Sequence, residues 1–184
     1  MAIKISVKKA SGDYDLGVSK FLGSPTLPEK WLNSFNDTTI FFCQIRLEDI
    51  KDLDKENKLP HQGYLYIFLD VSDSEYSLKP IVKYYKGEPT HCLNGFNDIV
   101  DGFEEYTDDY LIEFSECDDY ESGNKLLGYP NHLDDSINSI PLLLQFDPLD
   151  SEMGIFSHMD GLIYITLGND KKTFKDVSII EDIS

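Results

Sequence analysis

The chain has 184 residues, with 34 Asp+Glu against 16 Lys+Arg and a formal charge of −18. That balance repels nucleic acid and anionic lipid surfaces, and it attracts basic surfaces and divalent cations. The length suits one domain, 1–184, whose core needs no disulfide or metal staple.

In chain order, Met1 to Val7 alternates so that Ile3, Ile5 and Val7 share a face, which predicts a strand. Gly23 to Pro28 carries two prolines and predicts an ordered loop, with Trp31 closing a core edge beside it. Ile40–Ile45 predicts a strand, Leu47–Leu53 a turn or short helix, Pro60–Gly63 a turn, Tyr64–Leu69 a strand and Ile81–Tyr85 another. Phe96, Ile99, Val100, Phe103 and Tyr106 recur at helical spacing, against the helix-weakening Gly95 and Gly102. Tyr110–Phe114 predicts a strand, Asp118–Asn124 a loop, and Leu126–Pro130 an ordered turn. Ile140–Phe146 and Leu162–Leu167 predict strands around a loop over 147–160, and a short strand or docked segment closes the fold within Phe174–Ile180. The fold class expected is mainly β with a few short helices, built from antiparallel sheets.

Three cysteines, Cys43, Cys92 and Cys117, make an odd count without CxxC spacing, which fits a reducing compartment. The opening residues have no long apolar stretch of the kind a secretory signal needs, and no run approaches the ~18 apolar residues of a membrane span. A cytoplasmic protein is the expectation.

Twelve acids and no lysine or arginine fall between Gly87 and Asn124. Flanking this middle segment (87–124), two stretches repeat one another. Phe41-Phe-Cys-Gln44 leads to Gly63 and Tyr64-Leu-Tyr66-Ile; Leu142-Leu-Leu-Gln145 leads to Gly161 and Leu162-Ile-Tyr164-Ile. Two copies of one unit, about 18–86 and 125–177, account for the match.

Taken in order, Leu22-Gly-Ser-Pro-Thr-Leu-Pro28 with Trp31, Phe41-Phe-Cys-Gln-Ile45, Gly63-Tyr-Leu-Tyr-Ile-Phe68, Leu126-Leu-Gly-Tyr-Pro130, Leu142-Leu-Leu-Gln145 and Asp160-Gly-Leu-Ile-Tyr164 resemble the YwqG-like family of bacterial domains of unknown function. The resemblance runs from about Val18 to Val177. It implies a mainly β single domain with internal duplication and no established activity, and some members look like immunity proteins of bacterial toxin systems. The chain departs from the family at Asp134, where Gln is usual, and at His158-Met159, where Trp-Gly is usual.

Gln44 and Gln145 each stand near the end of an apolar strand, where a buried amide must find partners. The structural reading has each fixing the backbone of a loop; the functional reading has both facing one cleft, with Gly63, Gly161, His61 and His158 around it. No GxGxxG, P-loop, G-x-S-x-G, HExxH or EF-hand pattern occurs, so no catalytic residue, metal ligand or cofactor is assigned. Two functions remain in view. The first is a protein-interaction module for a basic partner, of which an immunity-type protein is one form. Its acidic rim and aromatic anchors would be Phe96, Phe103, Glu104, Glu105, Tyr106, Asp108, Asp109 and Tyr110. The second is a small-ligand or metal site, or an enzyme, with a cleft between the repeat halves.

Overall fold

The computed structural model describes residues 1–72, 78–104, 106–131, 137–149, 161–170 and 173–182. Among them run strands β1 (Ala2–Lys9), β2 (Lys20–Phe21), β3 (Thr26–Leu27), β4 (Thr39–Arg46), β5 (Tyr64–Asp70), β6 (Lys79–Tyr85), β7 (His91–Cys92), β8 (Tyr110–Cys117), β9 (Lys125–Leu126), β10 (Leu142–Phe146), β11 (Leu162–Thr166) and β12 (Ile179–Asp182). Two short 3₁₀ turns, Glu29–Trp31 and Leu47–Ile50, are the only helical elements described. The fold is mainly β and antiparallel, as the sequence predicts.

Ten strands form one sheet in the order β12-β11-β10-β9-β1-β8-β2-β4-β5-β6, and β3 pairs with β7 apart from it. The order is palindromic. β1, β2, β4, β5 and β6 form one five-strand set, and β8, β9, β10, β11 and β12 form the other. The lead strands are exchanged: β1 pairs with β9 of the second set, and β8 pairs with β2 of the first. At the centre β1 and β8 pair along their whole length, with Ser6 opposite Glu113.

The two sets agree bond by bond. Ile112 N donates to Ser19 O and Ile5 N to Asn124 O, both at 2.9 Å. Arg46 N donates to Ser19 Oγ at 2.9 Å and Asp147 N to Asn124 Oδ1 at 2.8 Å. A bulge interrupts β4 between Phe41 and Cys43 and β10 between Leu142 and Leu144. Leu22-Gly23 and Leu127-Gly128 both take positive φ, 55° and 67° in the first set, 60° and 75° in the second.

Burial follows the residue types. β4 and β5 are apolar on both faces because both faces are covered. β1 alternates, with Ile3, Ile5 and Val7 inward and Lys4, Ser6 and Lys8 outward. The inward residues of both sets share one core. Five strand spacings separate β4 from β10, about 24 Å in a flat sheet. Yet the Phe42 and Phe146 rings lie 4.8 Å apart, and Phe21 touches both. The sheet therefore curls on itself, and Leu78 N beside β6 donates to Glu181 Oε1 of β12 at 3.3 Å, joining the two ends. A second aromatic cluster, Phe41, Tyr64, Tyr66 and Phe68 under Leu27, Trp31 and Phe35, covers the outer face of the first set.

Two expectations need correction. The described residues of 96–106 form a succession of turns, not a helix: Asp98 N bonds Gly95 O, Val100 N bonds Asn97 O, Phe103 N bonds Val100 O and Tyr106 N bonds Phe103 O. Each is an i to i−3 bond, and Gly95 and Gly102 at φ 69° and 83° interrupt any continuous helix. The repeat also reaches further than the sequence match, because it takes in β1, β2, β8 and β9.

Candidate interaction surface

The glutamines occupy equivalent places. Lys20, Gln44 and Tyr66 lie side by side across β2, β4 and β5; Lys125, Gln145 and Tyr164 do so across β9, β10 and β11. All six side chains are buried. Gln44 Oε1 accepts from Thr26 N at 2.9 Å and Thr26 Oγ1 at 3.1 Å, and Nε2 donates to Val18 O at 2.7 Å. Gln145 Nε2 donates to Gly123 O at 2.7 Å, while its Oε1 has no partner among the described residues. Each glutamine serves the loop of its own set. Both glutamines fix backbone, but not that of the glycine loops before β5 and β11: Gln44 ties Val18 before β2 to Thr26 of β3, and Gln145 holds Gly123 before β9.

The sequence reading passed over the lysines beside them. Lys20 and Lys125 are both 0% exposed. Each Nζ donates to the carbonyl four residues on, Ser24 O at 2.5 Å and Tyr129 O at 2.8 Å. A buried ammonium needs compensation. Lys20 has Asp109 Oδ1 at 2.7 Å, and Asp109 also accepts from Ser24 N. Lys125 has only further carbonyls, Asp119 O at 3.0 Å and Glu121 O at 2.6 Å. Burial pushes the Lys125 ammonium down to about 8, and the nearby acids push back. The signal was available in the sequence as Lys20-Phe-Leu-Gly-Ser-Pro25 and Lys125-Leu-Leu-Gly-Tyr-Pro130.

The other predicted residues are placed as follows. His61 Nε2 lies 3.1 Å from Asp54 Oδ2, which also accepts from Leu59 N, so His61 anchors its loop. Gly63 has φ 88°, and a Cβ there would strike the Tyr85 carbonyl and lie 2.7 Å from Lys86 Cα, so close backbone approach dictates glycine. Gly161 directly precedes β11 as Gly63 precedes β5. His158, Glu105 and Asp134 lie outside the described residues. No group of three metal-ligating side chains occurs among the described residues. A groove does run between the two sets, lined by residues of β1, Glu113 of β8 and the loop 121–124, and neither glutamine lines it.

Four acids of the middle segment are matched by cations of this chain. Asp108 pairs with Lys9 at 2.5 Å, Asp109 with Lys20 at 2.7 Å, Asp119 with the N-terminal ammonium at 2.9 Å, and Glu116 with Lys55. Glu88 accepts from Tyr64 Oη at 2.5 Å. The cations come from the first third of the chain, whose strands β1 and β2 flank β8 in the sheet. The expected aromatic anchors also face inward: Phe103 is 5% exposed, Tyr106 and Tyr110 pack on the main core, and Phe96 packs on Phe35 and Phe68. Phe103 is buried in this protein's own core, and Phe96, Tyr106 and Tyr110 are half-buried against it.

What remains outward is a short acidic promontory over 94–104. Asn97, 1% exposed, pins it to β4: Oδ1 accepts from Phe41 N at 2.7 Å and Nδ2 donates to Phe41 O at 3.1 Å, as a neighbouring strand would. Phe96, Val100 and Phe103 plug inward. Asp98, Asp101 and Glu104 stand exposed, and none has a cation partner among the described residues. Between them Ile99 is 67% exposed. An apolar side chain rimmed by unpaired carboxylates suits a surface with basic and apolar groups interleaved.

No protein-family model matches the chain, and no characterised protein matches it. No helix among the described residues is long and apolar enough to cross a membrane.

Proposed function

We propose that this protein is a YwqG-like acidic interaction module of the cytoplasm that docks a basic partner on the promontory over 94–104. The observation that carries the reading is the exposed Ile99 amid Asp98, Asp101 and Glu104, on a segment held rigid by Asn97. The formal charge of −18 supports it, since the field steers a basic partner toward the molecule before contact. Ile99 then supplies apolar burial that the earlier aromatic candidates, being inside, do not.

The test uses two cationic probes, an amphipathic Lys/Leu peptide and an all-lysine peptide, at low and high salt. Replacing Asp98→Asn, Asp101→Asn and Glu104→Gln together should weaken both about tenfold at low salt. Ile99→Ser should weaken only the Lys/Leu peptide, also about tenfold, because only that probe has apolar surface to bury. Variants that bind both peptides as tightly as wild type would remove the reading.

A further inference from the structure

We propose a second binding site, independent of the promontory, in the groove where the two lead strands meet, and we assign it to a short peptide whose charges run negative, positive, negative. The groove is an open depression of about 700 Å³ on the outer face of β1 and β8. That volume lies in the range that small-ligand sites occupy.

Its walls come from both repeats. Lys4, Ser6 and Lys8 of β1 point outward on one side, Glu113 of β8 stands opposite Ser6, and the loop 121–124 forms the rim. Lys9, Lys20, Lys55 and the N-terminal ammonium are all matched with carboxylates. Lys4 and Lys8, like Lys51 and Lys86, form no ion pair among the described residues, and Lys4 also borders Glu116, Asp118 and Glu121. Two unmatched ammoniums flank one carboxylate in the same row.

The rim is prepared in advance. Gln145 Nε2 holds Gly123 O, Lys125 Nζ holds Glu121 O, and Ile5 N holds Asn124 O. On the second set's rim Gly123, at φ 75°, has nothing within 4 Å of the point where a side chain would begin. The groove is therefore open above the Gly123 rim, beside the two lysines of β1.

The charges select the ligand. A simple anion would meet Glu113 and Glu121, and a simple cation would meet Lys4 and Lys8. Four residue steps at about 3.4 Å place Lys4 and Lys8 roughly 14 Å apart, with Ser6 and Glu113 midway. A three-residue peptide spans about 10 Å of backbone, and its outer side chains cover the rest. Acidic outer residues reach the lysines and a basic central residue reaches Glu113.

The test compares fluorescent acetyl-Glu-Lys-Glu-amide with acetyl-Lys-Glu-Lys-amide by anisotropy. The whole-molecule field favours the second probe, which carries net positive charge, so preference for the first cannot arise from general electrostatics. The expected result is saturable binding of Glu-Lys-Glu, at least tenfold tighter than Lys-Glu-Lys. It should weaken about tenfold in Lys4→Gln/Lys8→Gln, whose melting temperature should match wild type because both side chains are exposed. The Asp98→Asn/Asp101→Asn/Glu104→Gln variant should bind the peptide normally, which separates this site from the promontory. No saturable binding, equal or tighter binding of Lys-Glu-Lys, or an unaffected double-lysine variant would overturn the proposal.

Discussion

Gln44 and Gln145 share a position but not an environment, and this gives the sharpest residue-level prediction. Gln44→Leu strands Thr26 N and Val18 O in the interior, at about 3 kcal/mol in total. Gln145→Leu strands Gly123 O but also removes a buried carbonyl that lacks a partner, so it should cost only about 1 kcal/mol. Urea unfolding of the two variants measures the difference. The lysines differ in the same way. Lys125 is held down to about 8, against 10.5 for a free lysine. Between those values the unfolded chain binds more protons than the folded one, so stability should rise as pH climbs from about 8 toward 10.5. Lys125→Met should lose that rise, and the denaturation midpoint followed across the same interval reads it directly. Neither lysine is apparent as a core residue from its type, because lysine is a surface residue unless paired. The partner that licenses Lys20, Asp109, lies 89 positions away.

Among the elements, the long strands are the ones the sequence declares. β4, β5, β10 and β11 carry apolar runs that no other element would bury, and β1 alternates openly. β2 and β9 are two residues each and half lysine, so hydrophobic pattern does not find them. The stretch 96–106 misleads for a different reason. Successive turns and a helix place side chains on one face at nearly the same spacing, and only the left-handed glycines separate them. Periodicity grouped Phe96 with Phe103 and Tyr106 as one inward face, whereas Phe96 packs on the outer aromatic cluster and the other two on the main core. Two substitution pairs test the local geometry. Gly63→Ala should cost about 3 kcal/mol, since it adds a clash with the Tyr85 carbonyl to an unfavourable φ. Gly12→Ala, with φ 87° and open space around it, should cost about 1 kcal/mol. Asn97→Ala should cost about 2 kcal/mol and raise amide exchange at Phe41, whereas Asn94→Ala, on the exposed side of the same segment, should change neither.

On the scale of the whole molecule, the exchanged lead strands decide both the stability and the surfaces. β1 completes the second set and β8 completes the first, so neither set keeps its sheet without the other. The groove exists only because those two strands lie together, and Asp108 and Asp109 of the acidic middle segment are paired because β1 and β2, which carry Lys9 and Lys20, flank β8. Composition gives the charge, and only the fold gives its distribution. Trp31, the single tryptophan, reports on the first set, while far-UV circular dichroism reports on all strands. The most direct test follows both signals through one urea titration. Interlocked sets predict a single transition with coincident midpoints. A Trp31 transition displaced from the dichroism transition would show that the two sets unfold separately, and would contradict the exchange of strands on which the structure is built.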